Sequence, residues 1–206
     1  MDRMRGVIRR LRERYSNPTT SLTYETDHQL LVATILSAQC TDEQVNRVTP
    51  GLFKKYPTVE DFAGADEGEL SRDIRSCGYY NQKARTIKAS SLMILEKYGG
   101  RVPGSEEELL QLPGVGRKTA NCVLGAVYGI PAVVVDTHMI RIMGLLGFTD
   151  SRNPEIIERD VMGLAPERDW IDLAHLVIRH GRKICIARRP RCQECPLSDL
   201  CPSSLV

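Results

Sequence analysis

Leucine, isoleucine and valine recur along the chain three and four residues apart, the period of an amphipathic helix. No stretch alternates apolar and polar positions between hairpin turns as a half-buried strand would. The pattern predicts an all-α protein. Val7, Ile8 and Leu11 form the stripe of a first helix, which Ser16-Asn17-Pro18 ends because proline disfavours helix in the residue before it. Asp27 is placed to cap a helix running to about Ala38, and Asp42 one reaching Tyr56, where Pro57 stops it. Thr58–Ala63 and Asp66–Ser76 read as short helices, and Gly78-Tyr79-Tyr80-Asn81 as a loop. A long helix from Gln82 to Tyr98 offers Ala84, Ile87, Leu92 and Leu95 for burial and ends at Gly99-Gly100. Ser105 and Glu108 make a capping box for a helix to Leu112, and Pro113-Gly114-Val115-Gly116 is a tight turn before a helix over Arg117–Tyr128. Val133-Val134-Val135 has no partner strand and reads as an extended connector to helices over Thr137–Leu146, Pro154–Met162 and Asp169–His180. Many short helices with brief connections imply bundle packing, in two lobes with a ligand site in the cleft between them.

Composition adds a compartment and a class of partner. With 206 residues and 42% apolar content the chain can bury a core. No apolar run approaches the roughly 20 residues of a membrane span, and the arginine-rich start lacks the apolar block of a secretory signal. A cytoplasmic, nucleoid-associated protein with no membrane partner is the expectation. The formal charge of +2 is small, but residues 1–14 carry six arginines and Arg179–Arg191 carries six Lys/Arg with no acid. Each run is a solvated helix face or an electrostatic footprint for nucleic acid. Seven cysteines, four of them in the last 22 residues as Cys185, Cys192, Cys195 and Cys201, argue for a metal site in the tail rather than a disulfide framework.

Candidate chemistry concentrates in residues 112–138. Helix, Pro-Gly-Val-Gly, helix is a helix–hairpin–helix pattern. Gly114 and Gly116 can take backbone angles closed to other residues, so a phosphate can approach the N–H groups of the following helix. Such a site grips backbone without reading sequence; a bare glycine turn between packed helices is the plainer alternative. Lys118 falls in the first turn of that helix, where the macrodipole opposes positive charge by a few tenths of a kcal/mol. A neutral lysine amine can form a Schiff base, whereas a charged one binds phosphate. Asp136 stands where an N-cap of the next helix would stand, worth about 1 kcal/mol, and capping does not exclude a catalytic role.

Taken together, Ile35-Leu36-Ser37-Ala38-Gln39 with Thr41-Asp42, Gly78–Asn81 with Lys83-Ala84, Leu112–Ala120, Val135–His138 and His180-Gly181-Arg182 leading into Cys185 span most of the chain. On these motifs the sequence resembles the endonuclease III family, bifunctional DNA glycosylase/AP lyases of the helix–hairpin–helix superfamily. The tail Cys-x6-Cys-x2-Cys-x5-Cys is similar to the family's [4Fe–4S] loop, ligated by Cys185, Cys192, Cys195 and Cys201; ligand chemistry alone also admits zinc. The resemblance implies a six-helix barrel over residues 20–130 holding the hairpin. It implies a second, discontinuous iron–sulfur domain from residues 1–19 and 131–206, with Lys118 and Asp136 facing each other over the cleft. It further implies catalytic Lys118 and Asp136, DNA contacts at Gly114, Val115, Gly116, Arg117 and Thr119, Gln39 filling the gap left by an extruded nucleotide, and Tyr79 wedging beside the unpaired base. The best-known members have an aliphatic residue at the wedge. Without the resemblance Gln39 is a helix-end cap and Tyr79 a half-buried turn aromatic. The implied partner is double-stranded DNA with oxidised pyrimidines such as thymine glycol, or abasic sites, bound by a monomer. The rivals are mismatch glycosylases of the same superfamily, which generally lack the lysine, and a non-enzymatic DNA clamp carrying a redox cluster, which has no need of a lysine–aspartate pair.

Overall fold

The computed structural model describes residues 2–16 and 18–206 and contains eleven α-helices, with no strand among those residues. Two compact units divide the chain, Ser21–Gly129 and a unit assembled from Met1–Thr20 with Ile130–Val206.

Unit Ser21–Gly129 comprises α2 (Asp27–Leu36), α3 (Asp42–Lys55), α4 (Val59–Gly64), α5 (Glu67–Asp73), α6 (Tyr80–Tyr98), α7 (Glu106–Gln111) and α8 (Arg117–Tyr128). From His28 to Leu36 every residue of α2 is buried, the mark of a helix surrounded by others. The long α6 packs on α2, α4 and α5, while α8 packs on α2 and α7. Leu30, Leu31, Leu36, Phe62, Ile87, Ile94 and Leu109 are fully buried in this core, each worth about 1.5–3 kcal/mol of transfer free energy.

Several boundaries differ from the sequence expectation. Thr26 and Thr41, not Asp27 and Asp42, cap α2 and α3: each hydroxyl accepts from the backbone N–H three residues on, and the aspartates occupy the first turn, where the macrodipole favours them. Helix α2 stops at Leu36, short of Ala38. Tyr80 and Asn81 belong to α6, so the expected loop narrows to Gly78 and Tyr79, both at positive φ. Ile94 takes the buried position and Leu92 is 44% exposed, because the face of α6 toward α2 follows 84, 87, 91 and 94 rather than 92 and 95.

The other unit contains α1 (Asp2–Arg14), α9 (Thr137–Leu145), α10 (Pro154–Leu164) and α11 (Trp170–Lys183), then two short 3-10 turns in the cysteine-bearing tail. Met4, Val7, Ile8 and Leu11 bury the inner face of α1, which packs on α11, and α11 packs on α9. The connector over 133–135 carries no regular secondary structure. Helix α11 starts at Trp170, since Asp169 closes a preceding 3-10 turn. Asn17 of the expected stop after α1 lies outside the described residues.

The basic N-terminal run has structural uses. Arg10 pairs with Asp199 and donates to the Pro196 carbonyl at 2.9 Å. Arg12 reaches Asp169 and Asp172 at 2.9 and 2.6 Å, and Arg3 donates to the carbonyls of Gly147 and Leu200 at 3.2 and 3.4 Å. Half of the six arginines therefore tie α1 to its own unit, which weakens the reading of this run as a nucleic-acid footprint.

Candidate nucleic-acid interface and metal centre

The hairpin joins α7 to α8. Gly114 sits at φ +72°, and a methyl group on it would lie 2.0 Å from Thr86 Cγ2, so both the backbone angle and the neighbouring α6 demand glycine. Gly116 departs from expectation. Its φ of −94° suits any residue, and nothing lies within 4 Å of the position a Cβ would take. What its missing side chain provides is open space at the N-terminus of α8, which carries no side-chain cap. Val115 is buried in the unit core and its N–H already donates to the Leu112 carbonyl at 3.1 Å. It therefore braces the turn, and neither its side chain nor its N–H faces outward. Arg117 is exposed and paired with Glu106 at 2.9 Å; Thr119 is half-buried.

Lys118 is exposed in the first turn of α8, one helical turn before Cys122. Burial raises the Cys122 thiol, while the Thr34 hydroxyl at 3.9 Å and the Lys118 charge pull the other way. In the second unit, Asp136 caps α9: its Oδ1 accepts from the backbone N–H groups of His138 and Met139 at 2.9 and 2.8 Å. The other oxygen, Oδ2, is left for a further partner. A half-buried carboxylate held by two amides is fixed in orientation and leaves its second oxygen for chemistry. The cap and the candidate catalytic group are thus different atoms of one side chain.

Gln39 and Tyr79 return to the first unit. Both are exposed, Tyr79 by 67%, and both sit in the left-handed region at φ +52° and +47°. Among the described residues these are the two non-glycine residues with positive φ, a costly conformation that tends to persist at functional sites. The plainer readings both fail: Tyr79 is not half-buried, and Gln39 makes no hydrogen bond to the end of α2. Lys83, quoted in the sequence only as part of a motif and given no role there, is 5% exposed and donates to backbone carbonyls of Leu36 and Cys77, in the segments that lead to these two residues. Beyond the motif, its signal was a charge at a position where the α6 pattern calls for an apolar residue.

The four tail cysteines, all half-buried and none in a disulfide, line one cavity of about 200 Å³ together with Arg141, Leu145, His180 and Leu197. Two nitrogens face one of its sulfurs. The Leu197 N–H points to Cys195 Sγ at 3.4 Å, and His180 Nε2 lies 3.6 Å from the same atom. Nδ1 of His180 is 3.1 Å from the Tyr15 hydroxyl. Burial pushes the His180 ring down to about 4, so the imidazole is neutral: a Tyr15 O–H donated to Nδ1 leaves Nε2–H to donate to sulfur. Burial also raises the Cys185 and Cys195 thiols, and Arg141, which donates to the Cys185 carbonyl at 2.5 Å, opposes this at Cys185. Among the described residues no three His, Cys, Asp or Glu side chains converge on one ion. Tetrahedral zinc would need its sulfurs about 3.8 Å apart, from Zn–S bonds near 2.3 Å. Four thiols lining one cavity, with Cys195 Sγ served by an N–H donor, fit a polynuclear cluster instead.

Residues 32–167 match the model of the family described as HhH-GPD superfamily base excision DNA repair protein, and residues 185–201 that of the iron-sulfur binding domain of endonuclease III. Endonuclease III of Synechocystis sp. is 50% identical over 195 residues, covering 94% of this chain and 89% of that one. Endonuclease III of Escherichia coli K12 is 39% identical, with 95% and 92% covered. A solved structure of a trapped endonuclease III–DNA covalent intermediate superposes with a TM-score of 0.93 at 40% identity, over 98% of this chain and 95% of that one. A thermostable thymine-DNA glycosylase shares the fold, with a TM-score of 0.86 at 24% identity.

Proposed function

The chain belongs to the endonuclease III family of the HhH-GPD superfamily of base excision DNA repair proteins, and on that premise we propose how its own residues perform the chemistry. It is a DNA glycosylase and lyase with a [4Fe–4S] cluster. Its partner is DNA, as in the solved endonuclease III complexes. The finer reading is that it acts as a monomer on double-stranded DNA bearing oxidised pyrimidines such as thymine glycol, or abasic sites.

In this reading the target nucleotide leaves the stack, at a cost of a few kcal/mol that damage lowers. Gln39 occupies the vacated gap and Tyr79 stacks beside the orphaned base. Gly116 and the uncapped start of α8 receive a phosphate. Lys118, deprotonated, attacks C1′ with its Nζ lone pair; the glycosidic bond breaks, and its electron pair leaves with the base, which takes up a proton. Asp136 Oδ2 accepts the lysine proton and stabilises positive charge on the sugar. Cleavage of C1′–O4′ opens the ring, its electron pair going to O4′, which takes up a proton, and the nitrogen lone pair forms an iminium between Nζ and C1′. Loss of a C2′ proton then sends an electron pair toward C3′ and expels the 3′ phosphate. Hydrolysis frees the lysine. Cys185, Cys192, Cys195 and Cys201 would hold the cluster through their thiolates.

The observation that carries this reading is the division of labour within Asp136, one oxygen fixed by two amides and one left over. The test is incubation with duplexes bearing thymine glycol, an abasic site or an A·G mismatch. Strand cleavage 3′ to the first two, with the mismatch untouched, is expected. Base release without cleavage would favour a mismatch-type glycosylase, and binding without either product would favour a non-enzymatic clamp.

A further inference from the structure

Lys83 projects from the first turn of α6 into the interior and is 5% exposed. Its ammonium donates to two backbone carbonyls, Leu36 O and Cys77 O, each at 2.8 Å. Leu36 is the last residue of α2, and Cys77 the last residue of the 3-10 turn Arg75–Cys77. One cation therefore caps two C-termini at once. Both carry carbonyls that lack intrahelical partners and the negative end of a peptide dipole.

Each capped end runs directly into a strained residue. Three residues beyond Leu36 comes Gln39, and two residues beyond Cys77 comes Tyr79, the two left-handed non-glycine residues among those described. Cys40 and Cys77, whose thiols interact beside the ammonium, come from the same two segments; burial and the Cys40 neighbour push Cys77 up to about 11. Burial in turn presses the Lys83 ammonium toward its neutral form, and no carboxylate is among its hydrogen-bond partners. A methionine would fill the same volume without that cost. Only a donor of this length can hold the two loops to each other.

We propose that Lys83 is a positioning residue for nucleotide extrusion: by capping α2 and the 75–77 turn together it fixes the spacing at which Gln39 and Tyr79 enter the duplex. This rests on the roles given above to those two side chains. Lys83 itself touches no DNA and acts through the two loops.

The test compares single-turnover cleavage of an abasic site in a duplex with cleavage of the same site in a single-stranded oligonucleotide, where nothing is unpaired. Lys83→Met should lower the duplex-to-single-strand rate ratio at least tenfold while the single-strand rate stays within about twofold of the parent. A merely structural lysine would lower both rates together and leave the ratio unchanged, and that result overturns the proposal. Lys83→Arg, which keeps the charge and a two-pronged donor, should recover part of the ratio; if Lys83→Met does not fold, Lys83→Gln, which loses the charge and shortens the donor, takes its place, and an unchanged ratio there overturns the proposal. Gln39→Ala and Tyr79→Ala run alongside. If they depress the ratio and the Lys83 variants do not, the Lys83 inference alone fails. If neither loop variant moves it, the wedge roles themselves fail.

Discussion

At Gly114 and Gly116 two glycines separated by one residue face opposite demands. An alanine at 114 meets Thr86 Cγ2 at 2.0 Å and a positive φ, whereas an alanine at 116 meets nothing. Gly114→Ala should therefore cost about 2 kcal/mol or more of unfolding free energy. Thr86→Ala in the same chain should restore part of it, as read in chemical denaturation. Gly116→Ala should leave stability within about 0.5 kcal/mol and weaken binding to abasic-site duplex, because the added methyl fills the space kept for phosphate. Equal loss of stability at both positions would show that the second glycine is also structural. The Gly-x-Gly motif marked the turn in the sequence but not this difference, since φ at each glycine and the identity of its neighbour on α6 are set by packing between residues nearly thirty positions apart. Asp136 was more legible, because capping is local and an aspartate before an apolar-periodic run declares it. Lys83 was not legible, because a charge at an inward position reads as an exception until its two carbonyl partners are seen.

Among the elements, α2 shows what an apolar run hides. His28, its second residue, is almost fully buried, with Nε2 2.9 Å from the Ser91 hydroxyl and its ring edge-on to Phe62 at 5.3 Å. Burial drives its pKa from 6.5 down to about 4. The folded form thus binds fewer protons than the unfolded chain between these values. The stability it contributes is fully present above about pH 6.5 and is lost as pH falls toward 4, at up to about 1.4 kcal/mol per pH unit for one group. Denaturation of the parent should show this slope and His28→Phe should reduce it, the buried His180 still contributing in the same range; an equal slope in both would place the titration elsewhere. The tail is an element of another kind, with two short 3-10 turns and four cysteines around one cavity. Tyr15→Phe removes the hydrogen bond that holds His180 with its Nε2–H toward Cys195. The cluster's midpoint potential should then fall, as expected when a sulfur loses a donor; a potential unchanged in film voltammetry would show that the Tyr15 contact does not set the tautomer. Helix existence and type were readable throughout from the three-and-four spacing. Caps slipped by one residue at Thr26 and Thr41 because threonine and aspartate are both good caps and stand side by side.

For the molecule as a whole, the second unit is assembled from both ends of the chain. Arg10 meets Asp199 across 189 residues and Arg12 meets Asp169 across 157. Such pairings are invisible to any local pattern, and the arginine run consequently looked like a surface awaiting a polyanion. The cysteine spacing, by contrast, is local to 17 residues and marked a metal site directly, although ligand chemistry alone left zinc open beside iron–sulfur. No helix is long and apolar enough to cross a membrane among the described residues. The proposed mechanism stands or falls on Lys118 as the nucleophile. Borohydride added during turnover on an abasic-site duplex should reduce the iminium to a stable protein–DNA adduct, and peptide mass spectrometry should place the adduct on Lys118, with none formed by Lys118→Ala. An adduct mapped to another residue, or trapping undiminished in Lys118→Ala, would contradict it.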